Sequence, residues 1–254
     1  MQSVHALPAP DQFVRSEHEP PPEIPVIDMS SPYAGCGMVD SAREWGIFQV
    51  VNHGVPAEAV SELQRVGREF FALPQAEKQR YAMDPSSGKT EGYGSIQQRD
   101  APDGKKTWAD FLFHNVAPPS AVDHAVWPEN PVGYRAANEA YCGHIRRLTR
   151  TLFERLSAGL GMEEGAMAEA FGGDDGVVLL QKINYYPPCP QPELAFGVAP
   201  HTDLSALTVL VPNEVPGLQV FRDGQWHDVE YVPGALIVHI GDQIEASLHS
   251  ISCS

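Results

Sequence analysis

Basic residues are scarce in this chain. Its 254 residues hold 17 Lys and Arg against 33 Asp and Glu, a formal net charge of −16. A surface of that sign repels phosphate backbones and anionic lipid, so neither nucleic acid nor a membrane is an expected partner. Cysteine is scarce as well. Cys36, Cys142, Cys189 and Cys253 are scattered and form no CxxC pair, which predicts reduced thiols in a reducing compartment, the cytosol by default. No apolar run approaches membrane-spanning length. The opening MQSVHALPAPDQFVRSEHEPPPEIPVID has neither a basic start nor an apolar stretch, so a secretion signal is not expected. The length suits a single domain with a real core, and the apolar fraction of 43% is ordinary for a globular protein.

The order of elements sets the fold class. Residues 1–23 are polar and proline-rich and predict a loosely held arm. Ile24–Asp28 is a short strand of edge type, because Pro25 lacks a ladder donor. A short helix is expected over Asp40–Trp45, ended by Gly46, and an apolar strand over Ile47–Asn52. From Pro56 onward, Val60, Leu63, Val66, Phe70 and Leu73 recur at helical spacing. Pro74 opens a second short helix. Residues 84–106 predict a long loop, with Gly92-Tyr93-Gly94 as a candidate lid. Thr107–Val116 alternates as a strand in which Phe111 and Phe113 share a face and most simply belong to the core. A long helix is expected over roughly 132–160, its apolar stripe running Tyr134, Tyr141, Ile145, Leu148, Leu152, Leu156 and Leu160, with Gly161 as terminator. A short acidic helix covers about 163–171. Past Gly176 come VVLLQKINYY, ALTVLV, GLQVF, QWHDV and ALIVHI, parted by turn residues such as Asp223-Gly224. Helices first and closely spaced strands afterwards predict an α+β chain, with a helical layer on a β-sandwich or jelly roll.

The chemistry concentrates in KINYYPPCPQPELAFGVAPHTD, residues 182–203. In a strand, residues i and i+2 share a face, so His201 and Asp203 project together. An imidazole beside a carboxylate makes two thirds of the facial triad that holds non-haem Fe(II). HxD triplets are common by chance, and such a pair can equally be a satisfied surface contact. For a third ligand the candidates are His239, which also reads as a core histidine in an apolar strand, and His249 near the end. His227 reads as surface. Asn184 and Tyr186 repeat the i, i+2 geometry and either bind a co-substrate carboxylate or are ordinary strand polarity. Lys182, on the same face, either reaches out to solvent or meets an anionic or phenolic ligand. Phe111 and Phe113, beyond their core reading, could stack on a flat aromatic substrate.

With IPVIDMS, REWGIFQVVNHGV, FFALPQAEKQRYA, KKTWADFLFH, WPENPVGYRAANEAY, KINYYPPCPQPELAFGVAPHTDLSALTVLVPNEVPGLQVF and VPGALIVHIGDQIE, the chain resembles the plant 2-oxoglutarate- and Fe(II)-dependent dioxygenases, nearest to the flavonol synthases. The resemblance runs from about Ile24 to Glu245. It implies a double-stranded β-helix (jelly-roll, cupin-like) core under N-terminal helices, with an N-terminal region over 24–172 and the oxygenase jelly roll over 173–254. It also implies a monomer that takes a small flavonoid, uses Fe(II), 2-oxoglutarate and O2 with ascorbate as reductant, and desaturates a dihydroflavonol. Anthocyanidin synthase and flavanone 3-hydroxylase chemistry, or a binding-only protein, are the alternatives. By resemblance His201 and Asp203 are iron ligands, Asn184 and Tyr186 touch 2-oxoglutarate, and Lys182 and Phe113 line the substrate pocket. Flavonol synthases usually carry histidine at the position of Phe111, which cannot make that residue's hydrogen bond. By family spacing the distal histidine would fall just past Ser254, and no arginine follows Arg222. The resemblance therefore implies a chain cut short within the barrel, with weakened iron binding.

Overall fold

The computed structural model describes residues 23–95, 106–213 and 215–245. Nearly all of the expected N-terminal arm lies outside the described residues, as do His249 and Cys253. In chain order the strands are β1 (Val26–Asp28), β2 (Ile47–Val51), β3 (Gly92–Ser95), β4 (Lys106–Thr107), β5 (Asp110–Ala117), β6 (Leu179–Tyr185), β7 (Ala195–Phe196), β8 (Leu207–Leu210), β9 (Gln219–Arg222), β10 (Gln225–Asp228) and β11 (Leu236–Ile240). The helices are α1 (Ala34–Glu44), α2 (Ala57–Ala72), α3 (Gln75–Gln79), α4 (Tyr134–Gly159), α5 (Ala166–Ala170) and α6 (Gly173–Gly176). The chain is α+β, as its pattern predicts. No helix among the described residues is long and apolar enough to cross a membrane.

The chain folds as two contact units. One gathers Met1–His53, Arg155–Glu164 and Pro200–Ser254. Its sheet runs β1-β2-β11-β8, with β1 parallel to β2 and the other pairs antiparallel. Strand β1 is indeed an edge. Ile24, Ile47, Val229 and Ile237 form the buried cluster, joined by Trp45, Leu210, Leu218, Val220 and Tyr231. Gln49 is buried in β2, yet its amide is satisfied at both ends: Nε2 donates to the Glu230 carbonyl and Oε1 accepts from the Val232 N–H, each at 2.9 Å. Helix α1 begins six residues earlier than Asp40 and ends where expected. There the Gly46 N–H returns to the Ser41 carbonyl at 3.2 Å with φ +67°, a glycine stop in the left-handed region. β9 and β10 form a hairpin through Asp223-Gly224, both at positive φ as a tight two-residue turn requires.

The other unit gathers Gly54–Glu154 and Gly165–Ala199. Helix α2 stops because Pro74 forces Leu73 into an extended conformation (φ −61°, ψ 152°). Its stripe residues Val66 and Phe70 are fully buried with Tyr81, Tyr93, Leu112, Trp127 and Tyr134. The sheet here is β3-β5-β6, all antiparallel, with the short β4 parallel to β7. Gly92-Tyr93-Gly94 is thus not a lid but strand β3. Tyr93 is 2% exposed, and its hydroxyl donates to Asp110 Oδ2 at 2.7 Å, so burial and that carboxylate push its pKa up to about 12. Lys78, itself 7% exposed, lies 4.0 Å from the same carboxylate and donates to the Phe71 carbonyl at 3.3 Å. A buried cation of this kind needs both partners.

β5 alternates as predicted, but with the faces exchanged. Asp110, Leu112 and His114 point into the core, while Phe111 and Phe113 are only partly buried. Three buried partners decide this. Leu112 enters the aromatic cluster, Asp110 meets Tyr93 and Lys78, and the Nε2 of His114 pairs with the Tyr134 hydroxyl at 2.7 Å. The His114 ring also lies 4.5 Å from that of Trp127. Burial pushes the His114 pKa down to about 4. The unfolded chain, with a histidine near 6.5, then binds more protons between those two values. Stability is therefore full above pH 6.5 and falls as pH drops toward 4, by about 3 kcal/mol from this group. Urea unfolding followed across that window is expected to show the loss. His114→Phe is expected to flatten that part of the slope, whatever its constant cost.

Candidate functional site

His201-Thr202-Asp203 does not form a strand. The loop of residues 200–206 finds its hydrogen bonds elsewhere, in the turn that follows β11, where residues 242–245 begin a helix. The Asp242 N–H donates to the Asp203 carbonyl at 2.8 Å and the Gly241 N–H to the Ala206 carbonyl at 2.9 Å. Gln243 Nε2 donates to the Leu204 carbonyl at 2.9 Å, and Thr202 Oγ1 to Asp242 Oδ2 at 3.2 Å. Even so, the two expected side chains meet: His201 Nε2 lies 3.5 Å from Asp203 Oδ1. His201 is 60% exposed and Asp203 28%, so both present donors to solvent. His239, on β11, is partly buried. Burial lowers its pKa most, the Asp203 carboxylate opposes that, and His201 adds to it, which places His239 within electrostatic range of both.

Metal bonds of about 2.1 Å at right angles put neighbouring donors about 3 Å apart. A 3.5 Å separation is a small side-chain rotation away from that, and imidazole with carboxylate is the donor chemistry of non-haem Fe(II). The pair fits the metal. Among the described residues no group of three or more His, Cys, Asp and Glu is placed to hold an ion.

The remaining expected residues lie in the other unit. The ladder sets Phe111 opposite Asn184 and Phe113 opposite Lys182, and on the other side Gly94 opposite Phe111 and Gly92 opposite Phe113. The open face of this sheet is therefore two glycines, two phenylalanines, then Lys182 and Asn184. A Cβ on Gly94 would overlap the Phe111 ring, and one on Gly92 would overlap the Tyr81 carbonyl. Glycine thus leaves room for the ring to lie flat over β3. Lys182 Nζ sits 5.0 Å from the Phe111 ring centroid, a cation–π contact worth about 0.5–1 kcal/mol at an exposed site. Tyr186, half-exposed, repeats the device at smaller scale: a Cβ on Gly197 would stand 3.1 Å from its ring.

Some of this escaped sequence reasoning. The 241–243 turn carries no metal-ligand residue pattern, and only the structure shows it holding the His201 loop. Gly92 and Gly94 read as loop punctuation. Their alternation, i and i+2 beside an aromatic strand, was the available signal that one sheet face had been cleared of side chains.

Comparisons with known proteins give the family. Residues 24–130 match the family described as non-haem dioxygenase in morphine synthesis, N-terminal, and residues 178–253 match the 2OG-Fe(II) oxygenase superfamily. Flavonol synthase 1 of Crocosmia x crocosmiiflora is 54% identical over 246 residues, which are 93% of this chain and 73% of that protein. A flavonol synthase/flavanone 3-hydroxylase of Petunia hybrida is 52% identical over 249 residues, 93% of this chain and 71% of that protein. Among solved structures, JOX2 in complex with 2OG, Fe and JA superposes with a TM-score of 0.82 at 35% identity, covering 98% of this chain and 74% of that one. The core is accordingly the oxygenase jelly roll.

The Gly94–Phe111 contact gives a test of the open face. Gly94→Ala is expected to cost about 1–3 kcal/mol through overpacking, read by urea unfolding. In a Phe111→Ala background the same change is expected to cost almost nothing, because the ring it would strike is gone. Equal costs in both backgrounds would contradict the described packing.

Proposed function

Because the chain belongs to the 2OG-Fe(II) oxygenase superfamily, we propose that it oxidises a flavonoid in the manner of a flavonol synthase, taking a dihydroflavonol to the flavonol. The observation that carries the substrate class is the open face of β3, β5 and β6. It carries two phenylalanine rings, that of Phe111 lying over Gly94, and is edged by one ammonium group. A planar polyphenol offers what such a surface takes: an aromatic face to stack and an acidic phenol to meet Lys182.

In this reading His201 and Asp203 hold the iron, whose chemistry is the two-electron activation of O2 at the expense of 2-oxoglutarate. Asn184 and Tyr186 bind 2-oxoglutarate by hydrogen bonding. The balance closes as dihydroflavonol, 2-oxoglutarate and O2 giving flavonol, succinate, CO2 and water. Phe111 and Phe113 exclude water from the face they cover. Lys182, held over the Phe111 ring, fixes the orientation of the phenol. Free thiols at Cys36, Cys142 and Cys189 suit the reducing cytosol.

A second reading is flavanone 3-hydroxylation. Phe111 favours it, since its ring offers no hydrogen bond to a substrate hydroxyl, and a flavanone lacks the 3-hydroxyl that a dihydroflavonol brings.

Incubation with Fe(II), 2-oxoglutarate, ascorbate and either substrate, analysed by liquid chromatography with mass detection, separates the two. Loss of two hydrogens from the dihydroflavonol supports the first reading, and gain of one oxygen by the flavanone supports the second. Lys182→Met is expected to raise the KM about tenfold with kcat little changed, the loss of one charge-assisted contact. Absence of product from both substrates would overturn the proposal.

A further inference from the structure

The loop 200–206 belongs to no sheet, yet its side chains His201 and Asp203 meet at 3.5 Å. Something outside the loop must fix it, and the bonds that do so come from one short turn. Three of its carbonyls, on Asp203, Leu204 and Ala206, accept from Asp242 N–H, Gln243 Nε2 and Gly241 N–H. The turn is firm in its own right. The Ile244 and Glu245 N–H groups both return to the Gly241 carbonyl at 3.0 Å, and Ile244 is fully buried. It also follows directly from β11, the strand paired on both sides.

We propose that the turn Gly241–Gln243 is the positioning device of the metal-binding loop, with Asp242 and Gln243 as positioning residues. Thr202 is the pivot. Its hydroxyl donates to the Asp242 carboxylate at 3.2 Å, which ties the residue between His201 and Asp203 to the same turn that takes the Asp203 carbonyl. Gly241 is required for the close approach, because a Cβ there would overlap the Ser205 carbonyl oxygen. The importance of the loop rests on the reading of His201 and Asp203 as iron ligands, whereas the anchoring itself does not.

The test follows amide hydrogen exchange at Gly241 and Asp242 by NMR, referenced to the amides of β11. Thr202→Val, Gln243→Ala and Gly241→Ala are each expected to speed exchange at these donors about tenfold relative to β11, the loss of roughly one hydrogen bond. Thr202→Ser, which keeps the hydroxyl, is expected to restore wild-type protection. A ratio that stays unchanged, including one where both sites speed up together through global unfolding, overturns the proposal. Fe(II) titration of the same variants is expected to show a parallel loss of affinity of about tenfold. If the exchange ratio responds while wild type and His201→Ala bind Fe(II) alike, the anchoring is supported and the ligand assignment is the part that fails.

Discussion

Strand β11 has a neighbour on both hydrogen-bonding edges, and its unit is assembled around that fact. One edge takes β2, from near the start of the described chain, and the other takes β8. Ile237 and Val238 are fully buried within it. A strand so placed has little freedom to slip, since a one-residue shift would turn its buried face outward. What leaves its end is fixed with it. The Ile240 N–H bonds the Gly46 carbonyl at 2.8 Å, and the next three residues reach the loop that carries His201 and Asp203. The pair of donors inherits its order from a strand nearly forty residues away, which is how an exposed loop can hold a defined geometry.

β5 plays the corresponding part in the other unit, between β3 and β6. Its two faces have separate tasks. One face closes the core through Leu112, His114 and Asp110, and the polar members are tolerated because Tyr134, Tyr93 and Lys78 satisfy them. The other face carries Phe111 and Phe113, both partly buried. Glycines on β3 let the Phe111 ring lie down, and Lys182 on β6 covers it.

Much of the architecture was legible in the sequence. The apolar stripe of α4, the glycine stops of α1 and α4, the proline boundary between α2 and α3, and the Asp223-Gly224 hairpin all rest on local rules, and local rules are visible in sequence. The faces of β5 were not legible. Alternation gives two sets of residues, and choosing the inner one by hydrophobicity selected the phenylalanines. Tertiary hydrogen bonds to His114 and Asp110 reversed that choice. His201 and Asp203 were found through their i, i+2 spacing, but the strand assumed for them is absent. Their loop is held by backbone bonds to residues 241–243, a long-range pairing that leaves no periodic trace in sequence.

The claim on which the functional account stands is that His201 and Asp203 hold the iron at which 2-oxoglutarate is used. An anaerobic Fe(II) titration in the presence of 2-oxoglutarate, following the metal-to-ligand charge-transfer absorption of the chelate, tests it most directly. The account predicts an absorption that grows with iron in the wild-type chain and is lost in both His201→Ala and Asp203→Ala. An absorption of equal strength in either variant, or none in the wild type, would contradict it.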